Sequence, residues 1–308
     1  MIEDLIFKLL KIVLKGFVME LGSIQKAIQK IKELPTLPTV ATKVNVLLND
    51  PKSSASQLSE VIEYDQSITA KLLKLVNSAF YSLPKKVTNI QQAIALLGYK
   101  TISHIVLTLS VFDTLKVENA GVFDRAEFWR HSIATAICSM KIAEVSGYGN
   151  EDVFIGALLH DIGKVFLDAF MHEEFMEIIN YVTEKKCTFF EAEKAIFEVD
   201  HAMIGEWISR YWQFPILTVA IIKHHHQKLD ERKGLACSGD VSIDIVRLAD
   251  AVVRVGKVGK NGDSTEIEPA FTKEMFRRLP LDEKDVLLLL GDVKKEMKKA
   301  EMLLSFAL

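Results

Sequence analysis

The chain has 308 residues, and 38 basic side chains against 41 acidic ones give it a formal charge of −3 at neutral pH. Its hydrophobic content of 49% and charged content of 26% are typical of globular proteins and exclude a long disordered or collagen-like chain. The slight acidity argues against a nucleic-acid-binding protein, because such proteins usually carry a basic excess. Three widely spaced cysteines, none in a Cys-x-x-Cys pair, predict reduced thiols and a cytoplasmic location.

Residues 1–20 are predicted to form an amphipathic helical extension, because their leucine, isoleucine and valine residues share one helical face. Charged residues interrupt this segment, so it lacks the run of roughly 18 uncharged residues that a membrane-spanning helix needs. We therefore expect no transmembrane segment here. Three interpretations stay open: the helix packs on the core or a partner subunit, it anchors at a membrane surface, or it precedes a true start at Met19.

The remainder of the chain is predicted to be all-α, because apolar residues recur at spacings of three and four almost throughout. A polar stretch at residues 116–121 marks a boundary between a helical N-terminal lobe, residues 21–115, and a second helical lobe, residues 122–255. Glycines and charges at residues 256–269 predict an exposed loop. Residues 270–308 return to helical patterning, and we expect these C-terminal helices to pack back on the body.

The strongest local signal of function is the sequence Ala-Leu-Leu-His-Asp-Ile-Gly-Lys at residues 157–164. It places His160 and Asp161 after an apolar run, where ionisable groups cost free energy unless something pairs them. A divalent metal ion is one such partner, because imidazole and carboxylate are both common metal ligands. Lys164 lies one helical turn beyond His160, where its ammonium could offset carboxylate charge or bind a phosphate.

Further histidines and carboxylates follow or lie within apolar helical segments. These candidates are Glu127, His131, His201, His224, His225 and Asp250. Glu127 and His131 are four residues apart and share one helix face, and the separations of tens of residues between the others suit ligands drawn from several helices of a bundle. Asp250 is alternatively a buried ion-pair partner of Arg247 or Arg254. A packing or surface role is the favoured interpretation of the remaining three histidines, His104, His172 and His226.

The order of these residues resembles the ligand pattern of the HD superfamily of metal-dependent phosphohydrolases. Its sequence of His, His-Asp and Asp is matched by His131, His160-Asp161 and Asp250. The longer order, with the earlier glutamate and the later histidines, is similar to the two-metal site of HD-GYP cyclic di-GMP phosphodiesterases. The Gly-Tyr-Pro segment of that family has no counterpart at residues 226–234, so the resemblance to it is incomplete.

The first half of the chain resembles the HDOD family. The shared motifs read Leu-Pro-Thr-Leu-Pro at residues 34–38, Asp-Gln-Ser-Ile-Thr at 65–69, Leu-Val-Asn-Ser-Ala-Phe-Tyr at 75–81 and, further on, Trp-Gln-Phe-Pro at 212–215. The resemblance covers about residues 24–255 and implies an all-α fold, with a helical N-terminal lobe packed on an HD-type helical bundle. It also implies a role in bacterial signal transduction, with a signalling protein or a nucleotide-type small molecule as the partner.

The resemblance further implies a site for two divalent ions. The first ion would be held by His131, His160, Asp161 and Asp250. Asp161 would bridge to a second ion, held by Glu127 or His201 together with His224 and His225. Because histidines outnumber carboxylates in this set, iron, manganese, nickel or zinc is expected before magnesium.

Two functions are compatible with such a site. HDOD proteins resemble HD hydrolases that have lost activity, which favours a regulatory module with a structural metal. This chain keeps the ligands that many HDOD members lack, which favours a metal-dependent phosphohydrolase acting on a nucleotide or cyclic nucleotide. In that case a water molecule activated by the ions would attack phosphorus, with Asp161 and Lys164 as the catalytic residues and Lys164 stabilising the phosphate charge.

Overall fold

The computed structural model describes residues 35–116, 123–148, 152–197, 199–232, 237–264, 276 and 278–308. All regular elements within these ranges are helices, which confirms the predicted all-α class. Buried side chains from both lobes form one continuous hydrophobic core. The fold is therefore a set of helices packed on helices, and the buried polar groups described below lie within that core.

The N-terminal lobe consists of α1 (Thr39–Asn49), α2 (Ala55–Glu63), α3 (Gln66–Val76), α4 (Ile90–Leu97) and α5 (Tyr99–Thr114). The other four helices all pack against α5, which is the centre of the lobe. Every residue of α5 from position 102 to position 112 is buried. A helix that is buried on all sides needs small polar and apolar residues around its whole circumference, and this explains its weak amphipathic pattern.

Side-chain caps fix where three of these helices begin. The side chains of Ser54, Asp65 and Asn89 accept hydrogen bonds from backbone N–H groups in the first turns of α2, α3 and α4. Gly98 then turns the chain sharply between α4 and α5, with a φ of 87° that favours glycine. These local signals divide one long apolar stretch into two separate helices.

The second lobe is larger. It consists of α6 (Arg125–Val145), α7 (Asp152–Leu159), α8 (Ile162–Phe170), α9 (His172–Lys185), α10 (Phe189–Ile196), α11 (His201–Tyr211), α12 (Ile216–His224), a 3-10 turn (Leu229–Glu231) and α13 (Cys237–Val255). α7 and α13 pack along α6, α12 packs on α7, α11 and α13, and α11 also packs on α8. The ends of α7, α11 and α12 therefore approach the first half of α6 and the second half of α13.

The two lobes are joined by packing and by hydrogen bonds at Trp212. Its carbonyl accepts a hydrogen bond of 2.9 Å from Nδ2 of Asn45 on α1, and its indole Nε1 donates one of 2.9 Å to the carbonyl of Pro35. Two C-terminal helices, α14 (Glu283–Met297) and α15 (Glu301–Ala307), also pack on the body, with α15 touching both α5 and α6. The lobes thus form a single packed unit.

The segment after α13 differs from the exposed loop that the sequence predicts. Lys260 N–H donates a hydrogen bond of 2.9 Å to the carbonyl of Glu127 on α6, and Asn261 is buried. Gly259 has a φ of 74°, and a Cβ there would lie 2.3 Å from the backbone nitrogen of His131. Residues 259 and 260 therefore lie directly against α6, because glycine lets the two backbones approach closely. Residues 265–269 lie outside the described residues.

No single described helix is both long and apolar enough to cross a membrane. α4 and α5 reach that length and composition only as a pair, and the pair is bent by 119°. The extension predicted at residues 1–20 lies outside the described residues, and the lobe boundaries at residues 21–115, 122–255 and 270–308 stay predictions.

Replacing Gly163 by alanine is expected to destabilise the fold strongly. Gly163 lies where α8 crosses the start of α11, and a Cβ there would be 2.0 Å from the carbonyl oxygen of His201. Because that contact is with backbone, we expect a loss of about 3 kcal/mol in the free energy of unfolding. The measurement is urea denaturation followed by circular dichroism.

The matched control is Gly291→Ala on α14, where a Cβ meets nothing within 4 Å. In an exposed helix interior, this change is expected to stabilise the protein by about 0.5–1 kcal/mol. Equal unfolding midpoints for the two variants would contradict the close contact between α8 and α11.

Candidate metal centre

Histidines and aspartates from five places in the second lobe meet in its interior. They are His131 on α6, His160 and Asp161 between α7 and α8, His201 at the start of α11, His225 and His226 directly after α12, and Asp250 on α13. Most of them lie at helix ends, where backbone carbonyl and N–H groups are left free to orient side chains. They form two adjacent clusters, defined here as the first and the second cluster.

The first cluster consists of His131, His160 and Asp250. The Oδ1 atom of Asp250 lies 3.1 Å from Nε2 of His131 and 3.9 Å from Nε2 of His160. Both histidines are 1% exposed, so bulk water does not solvate their rings. One carboxylate oxygen and two ring nitrogens thus converge on a small buried volume.

The second cluster consists of Asp161, His201, His225 and His226. The Oδ1 atom of Asp161 lies 3.0 Å from Nε2 of His201 and 3.4 Å from Nε2 of His225. Nε2 of His201 is also 2.8 Å from Nε2 of His226 and 3.3 Å from Nε2 of His225. Three Nε2 atoms and one carboxylate oxygen therefore face one another.

Asp161 adjoins both clusters. While its Oδ1 atom belongs to the second cluster, its Oδ2 atom lies 3.4 Å from Nε2 of His160 in the first. The same Oδ2 atom accepts a hydrogen bond of 2.8 Å from the ammonium of Lys164, which also donates to the carbonyl of Asn261 at 3.0 Å. Lys164 is itself fully buried, so this ammonium acts as a fixed positive charge beside the shared carboxylate.

Backbone carbonyls fix the orientation of two of the rings. Nδ1 of His160 donates a hydrogen bond of 2.7 Å to the carbonyl of Ala157, and Nδ1 of His225 donates one of 2.7 Å to the carbonyl of Ile222. A carbonyl can only accept, so Nδ1 carries the proton and Nε2 presents its lone pair to the cluster. Metal-binding histidines are commonly oriented in this way by a second partner.

Glu193 orients the third ring and was not singled out by the sequence. Its Oε1 atom accepts a hydrogen bond of 2.8 Å from the backbone N–H of His201, and its Oε2 atom lies 2.6 Å from Nδ1 of the same residue. Glu193 is fully buried although it lies in a run of charged residues on α10. No spacing pattern marks it, because its role depends on how α10 packs beside the start of α11.

The carboxylates of both clusters are held in their ionised form. Burial acts to raise the pKa of Asp161, but the Lys164 ammonium contributes most to lowering it well below its usual range. Burial also opposes ionisation of Asp250, whose pKa is nevertheless lowered by the adjacent His131 ring and the Arg254 guanidinium. Negative charge is therefore stable at both positions despite the apolar surroundings.

The histidines of the second cluster have divergent pKa values. Burial lowers the pKa of His225 to about 4, so that ring is neutral at neutral pH. Burial also lowers the pKa of His201, but the Glu193 carboxylate and Asp161 outweigh it and raise the pKa to about 9. The second cluster thus stabilises a positive charge while keeping a neutral nitrogen ligand beside it.

Four buried side-chain atoms of the two clusters form no well-oriented hydrogen bond within the described ranges. They are Nε2 of His131, Nε2 of His160, Oδ1 of Asp161 and Oδ1 of Asp250. Buried polar atoms are nearly always paired, because leaving one unpaired costs about 1–3 kcal/mol. Each of these atoms belongs to one of the two clusters, and a cation beside them would satisfy them together. The residues present therefore fit a metal ion with mixed nitrogen and oxygen ligands.

Two residues that the sequence suggested as ligands lie apart from both clusters. The carboxylate of Glu127 accepts a hydrogen bond of 3.1 Å from Nε of Arg130. His224 is the last residue of α12, and its Nδ1 lies 2.5 Å from Oε1 of Gln227. His226, for which a packing role was the favoured interpretation, lies in the second cluster instead.

The other sequence candidates have separate surroundings. His104 is buried within α5, and His172 lies on the surface with Nδ1 3.1 Å from Oδ1 of Asp168. Arg254 lies 3.8 Å from Oδ2 of Asp250 and forms a closer ion pair of 2.7 Å with Asp263. The guanidinium thus links the first cluster to the packed segment that follows α13.

Comparisons with known proteins identify related chains. A family model described as HDOD domain matches residues 34–228. A crystal structure of an HDOD domain protein of unknown function from Geobacter sulfurreducens is 25% identical, with a TM-score of 0.76, and the match covers 92% of this chain and 97% of that chain. A structure from Marinobacter aquaeolei VT8, of a protein provisionally named a signal transduction protein, is 17% identical, with a TM-score of 0.74 and coverage of 94% and 66%.

Among curated proteins, an uncharacterized protein of Treponema pallidum (strain Nichols) is 23% identical over 199 residues. The match covers 64% of this chain and 38% of that protein. The chain therefore spans less than half the length of the curated relatives it matches.

We expect the rings of His160 and His225 to be Nδ1–H tautomers in chelator-treated protein at alkaline pH, where His160 is neutral despite the rise in its pKa caused by the carboxylate of Asp161, because each Nδ1 donates to a carbonyl that has no proton to give. Long-range proton–nitrogen correlation spectra of protein with labelled histidine distinguish the two tautomers. The signals are assigned by their loss in the His160→Gln and His225→Gln variants. An Nε2–H tautomer at either position would contradict the orientation of the lone pairs toward the clusters.

Proposed function

Because the chain belongs to the HDOD family, we propose that it is a bacterial regulatory protein of signal transduction whose two clusters hold two divalent metal ions. The observation that carries this proposal is the buried convergence of seven histidine and aspartate side chains, four of whose ligand atoms form no well-oriented hydrogen bond among the described residues. Leaving buried polar atoms unpaired costs free energy, and a cation bound beside these atoms would remove that cost. The name of the Marinobacter relative is consistent with a signalling role.

Each cluster would supply the ligand set for one ion. His131, His160 and Asp250 would hold the first ion, while Asp161, His201, His225 and His226 would hold the second. The contact of 3.4 Å between Oδ2 of Asp161 and His160 supports a carboxylate shared by the two ions. Since nitrogen ligands outnumber oxygen ligands, iron, manganese, nickel or zinc would be favoured over magnesium.

The enclosure of the clusters supports a regulatory role in preference to turnover of a substrate. His131, His160, Asp161 and His201 are each no more than 1% exposed. Ions held there would tie together helices from across the second lobe, so that metal binding and the packing of that lobe depend on each other. A signalling protein that recognises the packed form is the partner that this proposal implies, with a nucleotide-type small molecule as the alternative.

A second function, phosphohydrolysis of a nucleotide or cyclic nucleotide, is favoured by one specific observation. The two clusters meet at Asp161, whose Oδ2 atom lies 3.4 Å from Nε2 of His160 and 2.8 Å from the Lys164 ammonium. Paired divalent ions polarise water and phosphate oxygens when both are bound. In this function Lys164 would offset negative charge beside a phosphate. Asp161 would hold the two ligand sets in fixed positions relative to each other.

Replacement of His226 is expected to remove one of two metal-binding equivalents, whereas replacement of its neighbour His224 is expected to leave both. His226 contributes an Nε2 atom to the second cluster, but His224 bonds to Gln227. The measurement is titration of the metal-free His226→Ala and His224→Ala proteins with Mn²⁺ or Zn²⁺ by calorimetry. Loss of an equivalent in the His224 variant alone would contradict the proposed ligand set.

Replacement of Asp161 by alanine is expected to lower the metal content at both clusters, because the shared carboxylate is removed from each. Elemental analysis of protein purified without an affinity tag measures this, and the wild-type protein is expected to carry close to two ions per chain. A wild-type protein with no stoichiometric metal after reconstitution would overturn the two-ion proposal.

The same two proteins distinguish the two functions. Metal-loaded wild-type protein is expected to leave a panel of nucleotides and cyclic nucleotides unhydrolysed, as a regulatory role requires. Hydrolysis by the wild-type protein that disappears in the Asp161→Ala variant would instead favour the phosphohydrolase.

A further inference from the structure

A cavity of about 540 Å³ lies between the two lobes and shares no lining residue with the metal clusters. Its walls come from α5, α6, α7 and α14 and from the segment that follows α3. Its apolar lining includes Phe80, Tyr81, Ile105, Ala143, Tyr148 and Phe154. Cavities of roughly 300–1,000 Å³ that are lined by apolar and aromatic side chains are typical binding sites for small molecules.

The depth of the cavity distinguishes it from an exposed patch. Ile105 and Ala143 are 4% and 3% exposed, whereas Tyr148 at the mouth is 41% exposed. The rings of Phe80 and Tyr81 meet edge to face, with centroids 5.0 Å apart. Helical interiors are otherwise close-packed, because unfilled apolar volume forfeits dispersion contacts on all sides. The aromatic walls therefore suit a planar apolar body.

Polar side chains line the same cavity as well, and two of them, Lys141 and Glu144, lie one helical turn apart. Lys141 and Glu144 both line it from α6, and Thr101 lines it from α5. The described residues provide no ion-pair partner for either Lys141 or Glu144. An ammonium donates hydrogen bonds and a carboxylate accepts them, so together they recognise an acceptor and a donor on one edge of a ligand.

We propose that this cavity binds a small planar aromatic or heteroaromatic molecule that carries a hydrogen-bond acceptor and a donor on one edge. The apolar body lies among the aromatic side chains, and the polar edge faces Lys141 and Glu144. The proposal needs no metal ion and goes beyond the function proposed above, so the outcome of its test is independent of the metal content of the protein.

The probe is 8-anilinonaphthalene-1-sulfonate, whose sulfonate accepts hydrogen bonds and whose amine donates one beside an aromatic body. Titration of the full chain is expected to give a saturable, one-to-one increase in fluorescence. Ala143→Phe fills the floor of the cavity and is expected to weaken binding by more than about tenfold. Val145→Phe, on the same helix at a residue that does not line the cavity and is 58% exposed, is expected to leave binding unchanged.

Circular dichroism and thermal melting establish that each variant is folded. Lys141→Met provides a second variant at a partly exposed position, and it is expected to weaken binding by about tenfold through loss of a charged hydrogen bond. Weakened binding in either folded variant, with unchanged binding in Val145→Phe, would support the proposal. It is overturned if the wild-type protein shows no saturable binding, or if the folded variants bind the probe as tightly as the wild type.

Discussion

Asp161 is a buried carboxylate between α7 and α8, and each of its oxygens faces different partners. Oδ1 lies against the ring of His201 on α11 and that of His225 after α12, whereas Oδ2 lies against Lys164 and His160. A charge removed from water must be balanced by groups in fixed positions, because displacement of any one leaves the charge uncompensated. The relative positions of α7, α8, α11 and α12 are thus constrained by this one group.

Backbone contacts beside the clusters show how helices that carry ligands can approach closely. Gly163 brings α8 against the carbonyl of His201, and Gly259 brings the segment after α13 against the backbone of His131. In both places a side chain would occupy the space of a neighbouring main chain. The charged interior is therefore compact because small residues adjoin it, and the ligand atoms are held by main-chain packing as well as by their own hydrogen bonds.

The helical class and the ligand-bearing helices follow from local patterns. The His160-Asp161 pair and Asp250 can be found from the sequence because each lies in an apolar stretch, where an ionisable side chain costs free energy unless it is paired. The sequence favours His224 over His226 as a ligand and cannot show which ring faces the clusters, because the direction of each ring depends on how the chain leaves α12 in a run of three identical residues. Glu193 could not be found from the sequence for a similar reason, since its contact with His201 at the start of α11 depends on the tertiary packing. In the sequence, residues 256–264 look like an exposed loop because they contain glycines. In the structure, Gly259 instead permits a close contact between this segment and the backbone of α6.

α6 is one unbroken helix of 21 residues, with His131 in its first half and Ala143 near its end. These two residues are 143 − 131 = 12 positions apart, or about 18 Å along the axis at a rise of about 1.5 Å per residue. If a helical segment of that length rotated by about 3° about one end, its other end would move by about 1 Å. That displacement exceeds the tolerance of about 0.5 Å within which the residues of a binding site must be held. The packing of α6 against α7 and α13 must therefore hold that helix to within about 3° of one orientation if the first cluster is to keep its geometry.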